Sequence, residues 1–140
     1  MQKLNVKEVE YIAFRLAQEL LSFNEPIPDF STRYPNILES CLATPFQTFT
    51  GKSCYPSLIN KASILFYLLI KNHPFQNGNK RIAMTTLFVF LYKNTKWLRV
   101  DTQELYNFTM WIAQSPPRFK EETLRAINKF VKANIAGLKK

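Results

Sequence analysis

Residues 57–94 read SLINKASILFYLLIKNHPFQNGNKRIAMTTLFVFLYKN, two apolar blocks around a polar nonapeptide. In the first block Leu58, Ile59, Ala62, Leu65, Phe66 and Leu69 recur at helical spacing behind Ser57, a good capping residue. The spacing predicts a helix ending near Lys71, where Asn72 and Pro74 supply the stop. The second block, IAMTTLFVFLY, opens beside Gly78 and runs to about Asn94 with apolar residues on nearly every side. A helix without a polar face belongs in the interior. The fold class that follows is all-α, a compact bundle around this buried central helix.

The flanking segments supply the surrounding helices. Asn5 followed by Glu8 has the form of a capping box, and Val6, Val9, Ala13, Leu16 and Leu20 then predict a first helix from about Val6 to Ser22. Pro26 and Pro28 interrupt it. Pro35 opens a short helix whose apolar face is Ile37, Leu38, Cys41 and Leu42. Between Thr44 and Pro56 the residues PFQTFTGKSCYP alternate aromatic and polar around Gly51 without helical period, so a loop or a small hairpin is expected there. Trp97 to Val100 reads as extended, Asp101 with Glu104 as a second capping box, and Leu105, Phe108 and Ile112 as the face of the helix it opens. Pro116 and Pro117 end that helix. A last one from about Phe119 to Ile135 carries Leu124, Ile127 and Val131, and the final GLKK is expected to fray.

At 140 residues the chain suits one domain, residues 1–140, burying roughly two-thirds of the surface its unfolded form exposes. Its hydrophobic fraction of 46% argues against disorder. The first residues lack the apolar run of a secretory leader, and no apolar stretch reaches membrane-spanning length, so a soluble cytoplasmic protein is the expectation. Cys41 and Cys54 with a single histidine make neither a zinc-ligand set nor a disulfide framework; both are expected to be reduced structural thiols.

The net charge of +9 is unevenly spread. Residues 1–50 hold four basic and six acidic side chains, residues 51–100 eight and none, and residues 101–140 seven and four. No carboxylate occurs from Ser40 through Val100, so a ligand near the middle of the chain meets a positive field that favours phosphates, nucleic acid or an acidic protein. Nucleic acid is the weakest of these, because the charges lie largely on helices without a recognisable reading element.

The nonapeptide HPFQNGNKR, His73 to Arg81, concentrates that field at the start of the inner helix. Such a junction offers backbone N–H groups without intrahelical partners at the positive end of the helix dipole, and Gly78 can turn the chain tightly. Lys80 and Arg81 sit in the first turn, where cations are unfavourable unless an anion lies between them. His73 carries the side chain whose ordinary titration lies closest to neutrality, suited to taking a hydroxyl proton. Phe75 is suited to anchoring the loop in the core. Phosphate binding and a structural solvated face both fit these residues taken alone.

This stretch resembles the signature of the Fic/Doc family, in particular its death-on-curing (Doc-like) toxin branch. Histidine, phenylalanine, glycine, asparagine and the basic pair all fall in register, and the flanking helices are similar from about Pro56 to Asn94. The resemblance implies a small helical bundle that transfers AMP, or in the Doc branch a phosphate, from ATP or another nucleoside triphosphate to a hydroxyl of a target protein. It implies His73 as the general base, Phe75 as the buried anchor, Asn77, Gly78, Asn79, Lys80 and Arg81 as the cofactor-binding residues, and Mg²⁺ as a second cofactor with Asn77 orienting it through its carbonyl or a bound water. Lys80 beside Arg81 is the Doc-like form. AMP-transferring members commonly carry glycine where Lys80 stands and a second arginine where Met84 stands. Asn77 occupies the position where the family usually has Asp or Glu holding catalytic Mg²⁺, so a weak or inactive member that binds a partner antitoxin or nucleotide is the alternative. The stretch Phe46, Gln47, Thr48, Phe49, Thr50, Gly51, Lys52, Ser53, Cys54, Tyr55 falls where the family has a flap that docks the target. The resemblance further implies a protein antitoxin supplied in trans, since the inhibitory motif Ser/Thr-x-x-x-Glu-Gly/Asn does not occur in this sequence, and a target such as a translation elongation factor.

Overall fold

The computed structural model describes residues 1–20 and 26–138. A capping box opens the chain: Asn5 Oδ1 accepts from Glu8 N at 2.9 Å and Glu8 Oε1 accepts from Asn5 N at 3.0 Å. Helix α1 (Val6–Glu8) passes into a π-helical stretch, Val9–Phe14, and then into α2 (Arg15–Leu20). The wider π turn inserts residues into the repeat and rotates the inward face. Val9 is buried as the spacing predicts, Phe14 and Ala17 are buried as well, and Leu16 on the predicted stripe is half-buried against the core. The side chains of Ala13 and Leu20 lie outside those described, and the predicted end at Ser22 lies outside the described residues.

Helix α3 (Pro35–Ala43) buries Leu38, Cys41 and Leu42, as its spacing predicts. A 3-10 turn, Thr44–Phe46, leads to strands β1 (Thr48–Phe49) and β2 (Lys52–Ser53), which pair antiparallel with Thr48 opposite Ser53 and Phe49 opposite Lys52. The two connecting residues, Thr50 (φ 51) and Gly51 (φ 79), are both left-handed, the conformation that a two-residue hairpin turn requires. The irregular stretch is thus the small hairpin.

Helix α4 (Leu58–Lys71) begins where Ser57 Oγ accepts from Asn60 N at 3.0 Å. Helix α5 (Asn79–Lys93) is enclosed by α4, α6 (Thr102–Gln114), the N-terminal helical segment and β3 (Lys96–Leu98). Its residues 81–87 and 89–91 are all buried, which answers the apolar-all-round reading. Fully burying Leu87 or Leu91 contributes about 1.5–3 kcal/mol each relative to exposure. Thr85 and Thr86 fit inside because their hydroxyls donate to carbonyls one turn back, Thr85 to Arg81 at 3.1 Å and Thr86 to Ile82 at 2.6 Å.

Helix α7 (Lys120–Asn134) packs on α4, and Gly137 and Leu138 of the tail expected to fray are instead hydrogen-bonded, while Lys139 and Lys140 lie outside the described residues. Strand β4 (Ile135–Gly137) pairs antiparallel with β3, Leu98 opposite Ile135 and Lys96 opposite Gly137. The tail has too few apolar residues to signal a strand, yet β3 offers unpaired backbone donors and acceptors beside the end of α7. The architecture is the expected helical bundle around a buried central helix, with the small hairpin and a second antiparallel ladder, β3–β4.

Candidate functional site

The nonapeptide forms the α4–α5 turn, a seven-residue connection, residues 72–78, between antiparallel neighbours. Asn72 closes α4, and His73 then adopts φ 48, the left-handed region that non-glycine residues rarely enter. Its imidazole is exposed, whereas Pro74 and Phe75 beside it are buried. Phe75 stands in a three-ring cluster, with centroids 5.9 Å from Phe14 and 5.8 Å from Phe30. The buried ring and the exposed imidazole leave the loop in opposite directions.

Two further contacts hold this loop from outside. Tyr34 N donates to the Pro74 carbonyl at 2.8 Å, joining the start of α3 to the turn. Pro26 and Ile27 lie against Gly78, whose φ is 73: a Cβ there would meet Ile27 Cδ1 at 2.6 Å and the Pro26 carbonyl oxygen at 3.0 Å. Glycine is required at 78 for both reasons, dihedral and clearance. Neither brace was legible in sequence, because residues 26–34 carry no motif that names their partner.

The polar residues divide by direction. Asn79 is buried; its Oδ1 accepts from Phe75 N at 3.0 Å and its Nδ2 donates to the Phe75 carbonyl at 2.8 Å. Asn77 is exposed, and its Oδ1 accepts from Gly78 N at 2.8 Å. Lys80 is half-buried in the first turn of α5, and the buried Arg81 donates through a terminal nitrogen to the Ala17 carbonyl of α2. Asn77 and Gly78 share the turn with His73, Asn79 and Lys80 open α5 directly after it, and Arg81 donates to the N-terminal helical segment. A cleft of about 340 Å³ lined by Asn36, Ile37, Ser40 and Asn72 opens next to the loop on the α3 side.

The central positive charge is also partly turned inward. Of the eight basic residues in 51–100, Lys61, Lys71, Arg81 and Lys93 donate to backbone carbonyls. Lys93 additionally pairs with Glu8 at 2.7 Å. Among the described residues, main-chain oxygens serve these four cations as acceptors. This use of lysine was not predictable from a charge count.

The hairpin, residues 46–55, is fixed at its base by Lys61. That buried ammonium donates to Ser53 Oγ at 3.1 Å and to the Tyr55 carbonyl, and it lies 5.1 Å from the Phe46 ring centroid. Burying a cation costs several kcal/mol unless such partners replace water. Phe46 also meets Phe90, near the end of α5, at 6.3 Å. Lys61 is in the first turns of α4 and His73 follows its last, so the hairpin base and the imidazole stand at opposite ends of a helix roughly 21 Å long.

The cysteines differ. Cys41 is fully buried, and burial pushes its thiol up to about 11; Cys54 is exposed on the hairpin, not structural as expected. Among the described residues no three or more His, Cys, Asp or Glu side chains converge as metal ligands, and no helix is long and apolar enough to cross a membrane.

The geometry therefore offers an exposed imidazole held rigidly beside a glycine turn and a helix start that bears a lysine, an arrangement suited to an anionic ligand. Comparison with known proteins identifies the family. The chain is 34% identical over 73 residues to a protein named Toxin Doc from Mycolicibacterium smegmatis (strain ATCC 700084 / mc(2)155), covering 52% of this chain. The match spans about half, 56%, of that relative's own length. No solved structure matches. The profile of the Fic/DOC family matches residues 3–91, from the N-terminal helix through the glycine turn and nearly all of the inner helix, and the chain belongs to that family.

Proposed function

We propose that this protein is a Doc-like toxin that transfers the terminal phosphate of ATP, or another nucleoside triphosphate, to a hydroxyl of a target protein. The observation that carries the reading is the pose of His73: its imidazole is exposed, while the residues after it are locked by the Asn79–Phe75 clasp and the Tyr34–Pro74 bond. A base held in this way needs no reorganisation when the hydroxyl arrives. His73 takes the hydroxyl proton, the freed oxygen forms a bond to the γ-phosphorus, and the bond from that phosphorus to the bridging oxygen breaks, releasing a nucleoside diphosphate. Lys80 and the dipole at the start of α5 stabilise the negative charge on the phosphate oxygens. Arg81 contributes its charge from inside, and Gly78 and Asn79 act by shaping the turn.

Phosphate transfer is favoured over AMP transfer by position 84. Met84, fully buried in the core, stands where AMP-transferring members commonly carry a second arginine, and Lys80 where they commonly carry glycine. Magnesium does not fit the residues present as a resident ion: Asn77 offers one neutral oxygen, already accepting from Gly78 N, and Mg²⁺ favours charged oxygen ligands. No step is assigned to the metal here.

The hairpin, Phe46 to Tyr55, serves as the docking flap for the target, which would pair with its edge as an added strand. Since the flap base and His73 lie at opposite ends of α4, a target engaging both extends over on the order of six residues at about 3.3 Å each. A translation elongation factor is the proposed kind of target, and a protein antitoxin supplied in trans the proposed restraint.

The test is incubation with cytosolic extract and ATP labelled separately at the α or γ phosphate, followed by intact-mass analysis of modified proteins. The expected result is γ label on a protein hydroxyl, lost in His73→Ala with folding unchanged. Label from the α position would establish AMP transfer instead. Silence in the wild type would favour a binding-only member.

A further inference from the structure

We propose that Lys71 is a positioning residue for His73, acting by tying the end of α4 to the end of α6. Lys71 is the last residue of α4, and its Nζ donates to the carbonyls of Ala113 at 3.2 Å and Ser115 at 2.5 Å. Ser115 closes α6, where its own hydroxyl donates back to the Ile112 carbonyl at 2.6 Å. The last carbonyls of a helix have no intrahelical donor and carry the negative end of its dipole. One ammonium therefore satisfies two such oxygens and binds two helices that are distant in sequence.

The consequence lies two residues further on. His73 has φ 48, a conformation that an ordinary side chain keeps only where the surroundings over-determine it. On the far side the determinants are clear: the Pro74 carbonyl is held by Tyr34 N, and Phe75 by the Asn79 clasp. On the near side Asn72 N bonds to the Leu68 carbonyl within α4, and the hydrogen bonds of Lys71 carry that end across to another element. His73 is thus stretched between two fixed points, Lys71 anchored on α6 and Pro74 anchored on α3. Releasing the first lets the backbone at 72–73 relax toward ordinary dihedrals and turns the imidazole away.

As a positioning role this rests on the reading of His73 as the base, yet the pose itself can be observed without turnover. The chain has one histidine, so a ¹H–¹³C spectrum of the ring-labelled 140-residue chain contains a single set of imidazole signals. Lys71→Met, Lys71→Gln and Lys71→Arg are compared with the wild type in that spectrum, in thermal melts, and in steady-state transfer assays. In folded Lys71→Met the signals are expected to shift and to broaden or split. kcat should fall roughly 10- to 100-fold, with KM for ATP nearly unchanged. Lys71→Arg, which retains a cationic donor, is expected to restore the wild-type spectrum and most of kcat.

Imidazole signals of Lys71→Met identical to those of the wild type would overturn the proposal and leave Lys71 as a cap of α6 alone. If Lys71→Met does not fold, Lys71→Gln, which keeps one amide donor, decides by the same spectrum. If the wild type transfers nothing, the functional reading fails while the spectrum still decides the pose.

Discussion

Asn79 and Phe75 form a reciprocal pair: the side-chain oxygen of Asn79 accepts from Phe75 N, and its side-chain nitrogen donates to the Phe75 carbonyl. The first residue of α5 thereby closes the turn that precedes it, and the Phe75 ring is delivered into the Phe14–Phe30 cluster. Asn79→Ala leaves a buried N–H and a buried carbonyl without this partner, a loss of about 1–3 kcal/mol. Chemical denaturation is expected to show the midpoint falling with an unchanged m-value. Asn79→Asp keeps the acceptor and loses the donor, and should fall between the wild type and the alanine variant.

Gly78→Ala places a methyl group 2.6 Å from Ile27 Cδ1 in a left-handed backbone. The dihedral alone costs about 1–2 kcal/mol. The double variant Gly78→Ala, Ile27→Ala removes the contact with Ile27 Cδ1 and retains the dihedral cost and the close Pro26 carbonyl. A thermal melt of the pair is expected to recover part of the loss; no recovery would mean that Ile27 does not rest on the turn.

Asn77→Asp introduces a carboxylate at the exposed edge of the turn, within a stretch that otherwise has none. Calorimetric titration of ATP with and without Mg²⁺ should show the metal-dependent part of the affinity strengthened roughly tenfold, equivalent to about 1.4 kcal/mol. An unchanged metal dependence would mean that position 77 does not face the phosphates.

Asp29 caps the 3-10 turn Phe30–Thr32, accepting from Ser31 N and Ser31 Oγ, both at 2.9 Å. The bond from Ser31 N, then that from its hydroxyl, lowers the carboxyl below its ordinary value of 3.8. A depressed folded pKa stabilises above the unfolded value and is lost as pH falls through the folded one. The melting-temperature gap between the wild type and Asp29→Ala is therefore expected to be widest above the ordinary carboxyl value of 3.8 and to narrow as the pH falls below it. A gap that is constant across this range would separate the cap from its charge.

The two thiols should separate kinetically. Cys41 is buried with its thiol raised to about 11, while Cys54 is exposed. An alkylating reagent near pH 8 is expected to modify Cys54 alone in the native protein and both residues in denaturant, which mass spectrometry reads directly. The thiolate is the reactive form, and burial withholds it at Cys41.

The amino-acid sequence was sufficient for whatever depends on local repeat and local chemistry. The spacing of apolar residues in α3, α4, α6 and α7, the caps at Asn5, Ser57 and Asp101, the enclosure of α5 and the glycine turn beside it all follow from properties of neighbouring residues. Where the repeat widens, as in the π-helical stretch Val9–Phe14, the same rule found Val9 but not the burial of Phe14 and Ala17. Tertiary structure alone decided which distant groups satisfy one another. Ile27 on Gly78, Tyr34 on Pro74, Lys71 on Ser115, Arg81 on Ala17 and β4 on β3 are contacts in which a generic backbone group or flexible cation finds a partner. A main-chain carbonyl is the same in every residue, so no pattern in the sequence distinguishes the one that a lysine will reach.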